Sequence, residues 1–517
     1  MRAQILNIRT VVIALAVLVL YSCNKNLDDR SYNYPSLQPS SLDANAGTWK
    51  TVLLSSPDEV ALDSPLLLKG PAYTAELNEI KAFQRKLSDE DRNIIKYWKA
   101  GAVLRWNEIL RELVARHNLP PYQNEDGSYP APNQANPFAY PQFPFSNPPF
   151  AARAYAYVSA AQYDALVAAW HYKTLYNRLA PYKNDSSIQA LMPASDLPSY
   201  PSEDAVVAGA SIEVMKLMFP TEVAFIEEKA AEHKLARIMA GVNVRSEIEA
   251  GEQLGRKVAE KFTARARTDR AGTAGGNPAY WKSLEDQTMA KGEVCWFSLE
   301  FPKRPPMLPL FNKVKSFHFD SATLVSLRPT PPPLTNSEDF KKETDEVLWF
   351  TTHPTRERTA IVHYWADGAG TATPTGHWNT IAADEFVKEN FSEVRWARNF
   401  ALLNLSQMDA AIICWDTKYF YFNQRPSQAN EMIKTLTGIP NFPAYISGHS
   451  TFSSAAADVL GHILPDRAQK FLDMAEEATM SRLYGGIHYR SDCTGGQVAG
   501  RAVAAFAVAR AEQDGAE

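Results

Sequence analysis

Sliding the 517-residue chain along itself by 245 residues superposes its halves without a gap over residues 164–256 and 409–501. Asp164 and Ala165 meet Asp409 and Ala410, Trp170 meets Trp415, Lys173 meets Lys418, and Pro181 meets Pro426. Further on, Pro198 and Tyr200 meet Pro443 and Tyr445, Ser202 meets Ser447, Pro220 meets Pro465, and Arg237 meets Arg482. Gly251, Gly255 and Arg256 close the match on Gly496, Gly500 and Arg501. Agreement at constant spacing over this length means one supersecondary unit built twice. The repeated stretches are long, Ala- and Leu-rich and poor in alternating strand patterns, so each unit is expected to be helical. The fold class that follows is all-α: two packed helical bundles related by an internal duplication, with long connecting loops.

Segment boundaries come from the breakers. Residues 75–117 read as helix, and 122–150, rich in Pro, Asn and aromatics, as a surface loop. Helices are expected near 150–178, 203–219, 221–239 and 246–267. Residues 268–335 carry Pro305-Pro306 and Pro331-Pro332-Pro333 and read as a linker holding Trp281, Trp296, Phe311 and Phe317. Helices resume near 336–352, 379–390, 392–422, 427–436, 450–463, 466–480 and 491–512. The expected division is an N-terminal bundle over 75–267, the linker over 268–335 and a C-terminal bundle over 336–517.

The second copy concentrates charge suited to a tetrahedral oxyanion. Lys418, Arg425 and Arg482 supply positive charge, and each guanidinium can hold two oxygens. Lys418 and Arg425 are seven residues apart, two helical turns, which places them on one helix face. Ser447 and Gly448 offer a hydroxyl and an approachable backbone N–H just before the Ala-rich run at 453–457, a helix N-terminus that attracts anions. His449 would open that helix and serve as general acid or base. His488 follows Gly485-Gly486, and Asp492, four residues on, could fix its tautomer. Taken singly, each is more often a surface or packing residue; in this order and spacing they form a set.

The first copy lacks that chemistry. Ala180 stands for Arg425, Glu203 for Gly448, Asp204 for His449 and Asn243 for His488. Two acids where an oxyanion would sit are unfavourable. The first half is therefore expected to be a structural twin without catalytic function; the alternative is a metal held by Glu203 and Asp204.

The blocks Lys418-x6-Arg425-Pro426, Ser447-Gly448-His449 and Ser481-Arg482-x5-His488-x3-Asp492 resemble the signature shared by the type-2 phosphatidic acid phosphatases (PAP2) and the vanadium-dependent haloperoxidases. Trp415, three residues before Lys418, and Phe442-Pro443-Ala444-Tyr445 look like the haloperoxidase branch. So do Tyr364-Trp365-Ala366-Asp367-Gly368 and the nearby Pro374-Thr375-Gly376-His377-Trp378-Asn379. Ile446 departs from the Pro usual there in both branches. In the haloperoxidase reading the resemblance implies vanadate as cofactor, with His488 its axial ligand. Lys418, Arg425, Ser447, Gly448 and Arg482 would hold its oxygens. His449 would assist hydrogen peroxide, and Trp415 and Phe442 would shape a halide pocket. Asp367 would hydrogen-bond Arg482. In the phosphatase reading no cofactor is needed: His488 attacks a phosphate ester, His449 protonates the leaving group and Asp492 orients His488.

Residues 1–23 read as a signal peptide. Arg2 and Arg9 precede an apolar run from Val11 to Leu20, too short to span a bilayer. Leu20-Tyr21-Ser22-Cys23 resembles a relaxed bacterial lipobox, which makes Cys23 the expected lipid attachment site and the protein exported and membrane-anchored by that lipid alone. Residues 24–74 read as an N-terminal segment whose first part, 24–48, is a flexible tether. Cys295, Cys414 and Cys493 show no metal spacing and are expected to be buried thiols. A formal net charge of −5 without a basic patch beyond the site argues against nucleic acid. No later segment is apolar enough to span a membrane, unlike the membrane-embedded lipid phosphatases. Oligomeric state is not readable from the sequence.

Overall fold

The computed structural model describes residues 34–119, 125, 147–300 and 303–516. The signal-peptide and lipobox residues lie outside this set. Among the described residues there is no named strand, only an isolated bridge between Cys295 and Asn423. The all-α expectation therefore stands.

The first repeat runs α1 (Pro71–Gln84), α2 (Asp89–Trp98), α3 (Ala102–His117), α4 (Pro148–Tyr176), the short α5 (Pro181–Asn184), α6 (Glu203–Met218), α7 (Val223–Met239) and α8 (Arg245–Thr268). Two helices follow, α9 (Pro278–Ala290) and α10 (Ser321–Ser326). The second repeat runs α11 (Glu338–Thr352), α12 (Arg356–Tyr364), α13 (Thr373–Phe386), α14 (Glu393–Tyr421), α15 (Pro426–Ala429), α16 (Gly448–Ile463), α17 (Ala468–Tyr484) and α18 (Arg490–Ala511). Helices α4 to α7 and α14 to α17 start and stop 245 residues apart, and α8 and α18 start at that spacing.

The duplication extends beyond what the constant shift reveals. Trp98 donates to Glu232, and Trp365 donates to Glu477. The carboxylate of Glu76 takes the N–H and hydroxyl of Ser246, and that of Glu343 takes those of Ser491. So α1 and α2 correspond to α11 and α12, 267 residues on. The arm before α1 is repeated too: Val52 N–H donates to Asp164, and Phe317 N–H to Asp409. The segment expected as a linker, 268–335, thus holds the helix α9 and the second repeat's own N-terminal arm, with Trp296 and Phe311 buried. The expected tether is likewise built in from Tyr34 onward. Leu37 N–H bonds Lys99 O at 2.9 Å, and Asp43 accepts from Ser392 and Arg395.

Residues 75–117 form three helices, not one. Ser88 caps α2 with its hydroxyl on Asp91 N–H, and Gly101, at φ 115°, separates α2 from α3. The segment 427–436 keeps only the single turn of α15, because Asn430 turns extended.

Two devices hold the bundles together. Glycines let helices meet backbone to backbone: an added Cβ would stand 2.1 Å from Val206 O at Gly255 and 2.3 Å from Thr451 O at Gly500. Each repeat also buries an Arg–Asp pair, Arg153–Asp269 and Arg398–Asp514, both at 2.7 Å. Between the repeats, α4 packs on α14, and a buried amide chain crosses the pseudo-two-fold. Asn107 donates to Asn379 Oδ1 at 2.7 Å, Asn379 to Asn404 Oδ1 at 2.7 Å, and Asn404 to Ser159 Oγ at 2.9 Å. Among the described residues, no helix is long and apolar enough to cross a membrane.

Candidate active site

Helix α14 ends where Phe422 turns left-handed at φ 50°. Lys418 therefore sits in its last turn, while Arg425 caps the next helix, α15. The shared helix face expected from their spacing does not exist; the left-handed residue folds the chain back and brings the two cations together from separate elements. Lys418 Nζ donates to Pro443 O at 2.8 Å and Ala444 O at 2.9 Å. Arg425 donates from Nε to Phe442 O at 3.0 Å and from Nη1 to Ile487 O at 2.8 Å. Its Nη2 is buried without a hydrogen-bond partner.

Ser447 caps α16, accepting from Ser450 N–H, and its own N–H donates to Asp492 O at 2.8 Å. At Gly448 an added Cβ would meet nothing closer than 3.9 Å, so the absent side chain leaves the helix N-terminus open. His449 Nε2 lies 3.4 Å from Asp367 Oδ2, and Asp367 Oδ1 lies 3.0 Å from His377 Nδ1. His377 stacks on Trp365 at 4.5 Å. Arg482, at the end of α17, donates to Ser481 Oγ at 2.8 Å and Trp365 O at 2.6 Å. The expected hydrogen bond from Arg482 to Asp367 is replaced: both histidines face the carboxylate, which acts on Arg482 only as a nearby charge.

His488 is 2 % exposed. Its Nδ1 sits 2.9 Å from Asp492 Oδ2, and its Nε2 sits 3.1 Å from Arg425 Nη1. A guanidinium only donates, so Nε2 must be the acceptor and Nδ1 carries the proton toward Asp492. Burial, reinforced by Arg425 and Lys418, pushes the His488 pKa well down and keeps the ring neutral. Burial likewise lowers Lys418, and takes Arg425 and Arg482 to about 10. Burial and then Arg482 bring His449 to about 4. Burial alone would raise Asp367; hydrogen bonds and charge from His377 and His449 outweigh it and hold it well below the carboxylate range. Asp492 is raised by burial.

A cavity of about 270 Å³ opens on this cluster. Trp415, Phe442, Gly448, His449, Arg482 and His488 line it, while Lys418, Arg425 and Ser447 stand fully buried behind the wall. Trp415 anchors its indole N–H on Met307 O at 3.1 Å and packs on Phe442 with ring centroids 5.0 Å apart. The cluster therefore offers an anion three guanidinium or ammonium groups, a helix N-terminus and a neutral imidazole whose Nε2 lone pair is turned to Arg425.

Residues 400–514 match the sequence profile of the PAP2 superfamily. They form a PAP2-superfamily domain. All the predicted oxyanion residues fall inside this PAP2 domain; Asp367 and His377 lie upstream of it. The chain resembles the crystal structure of a bacterial vanadium-dependent iodoperoxidase, with TM-score 0.58 and 22% identity over 79% of this chain and 96% of that one. It also resembles a holo-type bacterial vanadium-dependent chloroperoxidase, with TM-score 0.50 and 15% identity over 74% and 96%. At these identities the likeness is one of fold. No curated protein matches the chain.

Some of the PAP2 domain's surroundings carried no sequence signal. Asn147 and Pro148, at the start of α4 in the first repeat, line its cavity, as do Asn118 and Leu119 after α3. Asn118 also holds the Asp367 loop, donating to Gly368 O and Thr371 O. Cys414 and Cys493 are buried free thiols, whereas Cys295 is partly exposed.

Proposed function

We propose that the chain is a vanadate-dependent haloperoxidase that oxidises halide with hydrogen peroxide. The observation that carries the reading is the pairing of a neutral His488, its Nε2 turned to Arg425, with the partnerless buried Nη2 of that same arginine. An oxyanion would supply the missing acceptor, and in vanadate the imidazole lone pair of His488 would have a metal centre to bind. Trp415 and Phe442 favour halide chemistry, since they make one wall of the cavity aromatic.

The donor set fits vanadate. Lys418, Arg425 and Arg482 would balance its charge, with Ser447 Oγ and Gly448 N–H completing the cradle and His488 Nε2 as the protein ligand. When bound, vanadate would supply Lewis-acid activation of peroxide. Asp492 fixes the His488 tautomer so that Nε2 keeps its lone pair. His449, neutral beside Asp367, can accept a proton from an incoming peroxide and return it.

The same atoms support phosphate-ester hydrolysis. His488 Nε2 would form the bond to phosphorus while the ester P–O bond breaks, with His449, protonated once a dianion is bound, giving its proton to the departing alcohol. Water would then cleave the P–N bond. The Asp492-fixed tautomer favours this second reading as much as the first.

The deciding experiment loads the purified protein with vanadate, removes the excess, and follows peroxide-dependent iodide and bromide oxidation. The vanadate-free protein is assayed on an aryl phosphate. Halide oxidation that needs vanadate and disappears in His488→Ala supports the first reading. Phosphate release blocked by vanadate, without halide oxidation, replaces it with the second.

A further inference from the structure

Two groups compete for the Asp367 carboxylate. Arg482 stands close enough to feel its charge, and His449 Nε2 lies 3.4 Å from its Oδ2. Arg482 spends Nε on Ser481 Oγ and Nη2 on Trp365 O, and the carboxylate goes to the histidine side. What draws it there is His377, whose Nδ1 lies 3.0 Å from Asp367 Oδ1. A carboxylate only accepts, so Nδ1 of His377 carries the proton. Asp367 Oδ2 and His449 Nε2 have no other hydrogen-bond partner.

His377 is itself firmly placed. It stands near the start of α13, one residue after Gly376, where an added Cβ would come within 2.5 Å of the Tyr155 hydroxyl. That close approach seats the start of α13 on α4. The imidazole stacks on Trp365 at 4.5 Å and meets Tyr364 edge-on at 4.9 Å. Trp365 is fixed in turn by its indole N–H on Glu477 at 2.9 Å. One residue therefore sets the spacing between the imidazole that takes Asp367 and the guanidinium that does not. The loop between them is shaped to match. Asp367 is left-handed at φ 45°, a conformation that persists in a non-Gly residue where its surroundings impose it. Asn118 supplies that constraint, donating to Gly368 O at 2.9 Å and Thr371 O at 3.1 Å and accepting from Gly370 N–H at 2.7 Å.

We propose that His377 is a positioning residue that holds Asp367 on the His449 side and off Arg482. The role rests on the reading of the cluster as an oxyanion site, and it explains how that site keeps its third cation. A carboxylate hydrogen-bonded to Arg482 would neutralise one of the three groups that face the anion. Held by His377, it leaves the guanidinium to the anion. It also stands behind His449 Nε2, so Nδ1 is the nitrogen left to exchange a proton with the anion. Without the His377 N–H, the carboxylate turns to the guanidinium, on which its charge already acts.

Calorimetric titration of the full-length protein with inorganic phosphate tests this and reads the guanidinium without calling on turnover. His377→Phe keeps a ring on Trp365 and removes the Nδ1 proton. Phosphate should then bind about tenfold or more weakly, the loss of a charge-assisted hydrogen bond. His377→Asn gives up the stack but returns an N–H at the Nδ1 position, and should bind phosphate as the wild type does. In an Asp367→Asn background, His377→Phe should change nothing, because no carboxylate is left to turn. Unchanged affinity in folded His377→Phe overturns the proposal. So does an Asn variant as weak as the Phe variant, which would make His377 a packing residue, or an undiminished loss in the Asp367→Asn background. Wild-type protein that takes up no phosphate overturns the site and this role together. The haloperoxidase reading stands or falls on the wild-type halide assay instead, so the two failures are distinct.

Discussion

Asp492→Asn separates two effects that a simple loss-of-function test would merge. Asp492 holds the His488 Nδ1 proton at 2.9 Å, and its Oδ2 also takes the Tyr489 N–H at 3.0 Å. Asn keeps the shape but removes the charge and weakens the orientation of the ring. A carboxylate behind an imidazole stands about 7 Å from an anion in front of it, and at an effective dielectric near 20 its removal favours anion binding by about 2 kcal/mol, about 30-fold. Sulfate, which takes no nitrogen ligand, should therefore bind more tightly to the variant. Vanadate gains the same amount but loses a well-oriented ligand, which costs about 10–100-fold. The preference for vanadate over sulfate should fall by that second factor alone. Both affinities can be measured by competition calorimetry at about pH 8.5, above the ordinary carboxylate range even after the upward shift of Asp492. Equal changes for the two anions, or weaker sulfate binding, would refute the orienting role.

Asp204→Ala leaves His233 and Arg237 without their buried partner and should cost about 3 kcal/mol of stability, read from denaturant midpoints, while turnover per folded molecule stays within a factor of about two. Burial keeps His233 neutral in the fold, whereas the unfolded chain takes a proton below about pH 6.5. Stability therefore falls as pH falls through that range, and His233→Gln should flatten the slope by up to about 1.4 kcal/mol per pH unit in urea titrations. Asn379→Ala cuts the amide chain across the pseudo-two-fold and should cost about 1–3 kcal/mol, since Asn107 and Asn404 lose a buried partner. If Cys23 carries lipid, Cys23→Ser should move the protein from the membrane fraction to the soluble one on ultracentrifugation.

The sequence exposed the helices from Asp164 onward in each half because no insertion interrupts them. It hid the equivalence of α1 and α2 with α11 and α12, since 29 residues separate His117 from the α4 cap Asn147, while five separate Phe386 from the α14 cap Ser392. That difference in loop length breaks the register that self-comparison relies on. The misplacement of Arg425 had a readable cue: the twin of Phe422 is Asn177, also left-handed at φ 41°, and Asn is a residue that tolerates that conformation. The oxyanion cluster was legible because its residues come from one continuous domain. The roles of His377, Asn118 and Asn147 were not, because they depend on how loops and helix ends from distant segments converge on one cavity.

That convergence changes how the first half should be regarded. The cavity of each repeat is closed by the α4 or α14 start of the other: Asn147 and Pro148 on one side, Ser392 and Glu393 on the other. In a symmetric pair of identical halves, every change at a helix start would have altered both catalytic basins at once. Joining the halves in one chain removed that linkage. Within one chain the two can differ: the first repeat carries no counterpart of Arg425, His449 or His488, yet the end of its α3 and the start of its α4 form the far bank of its neighbour's pool.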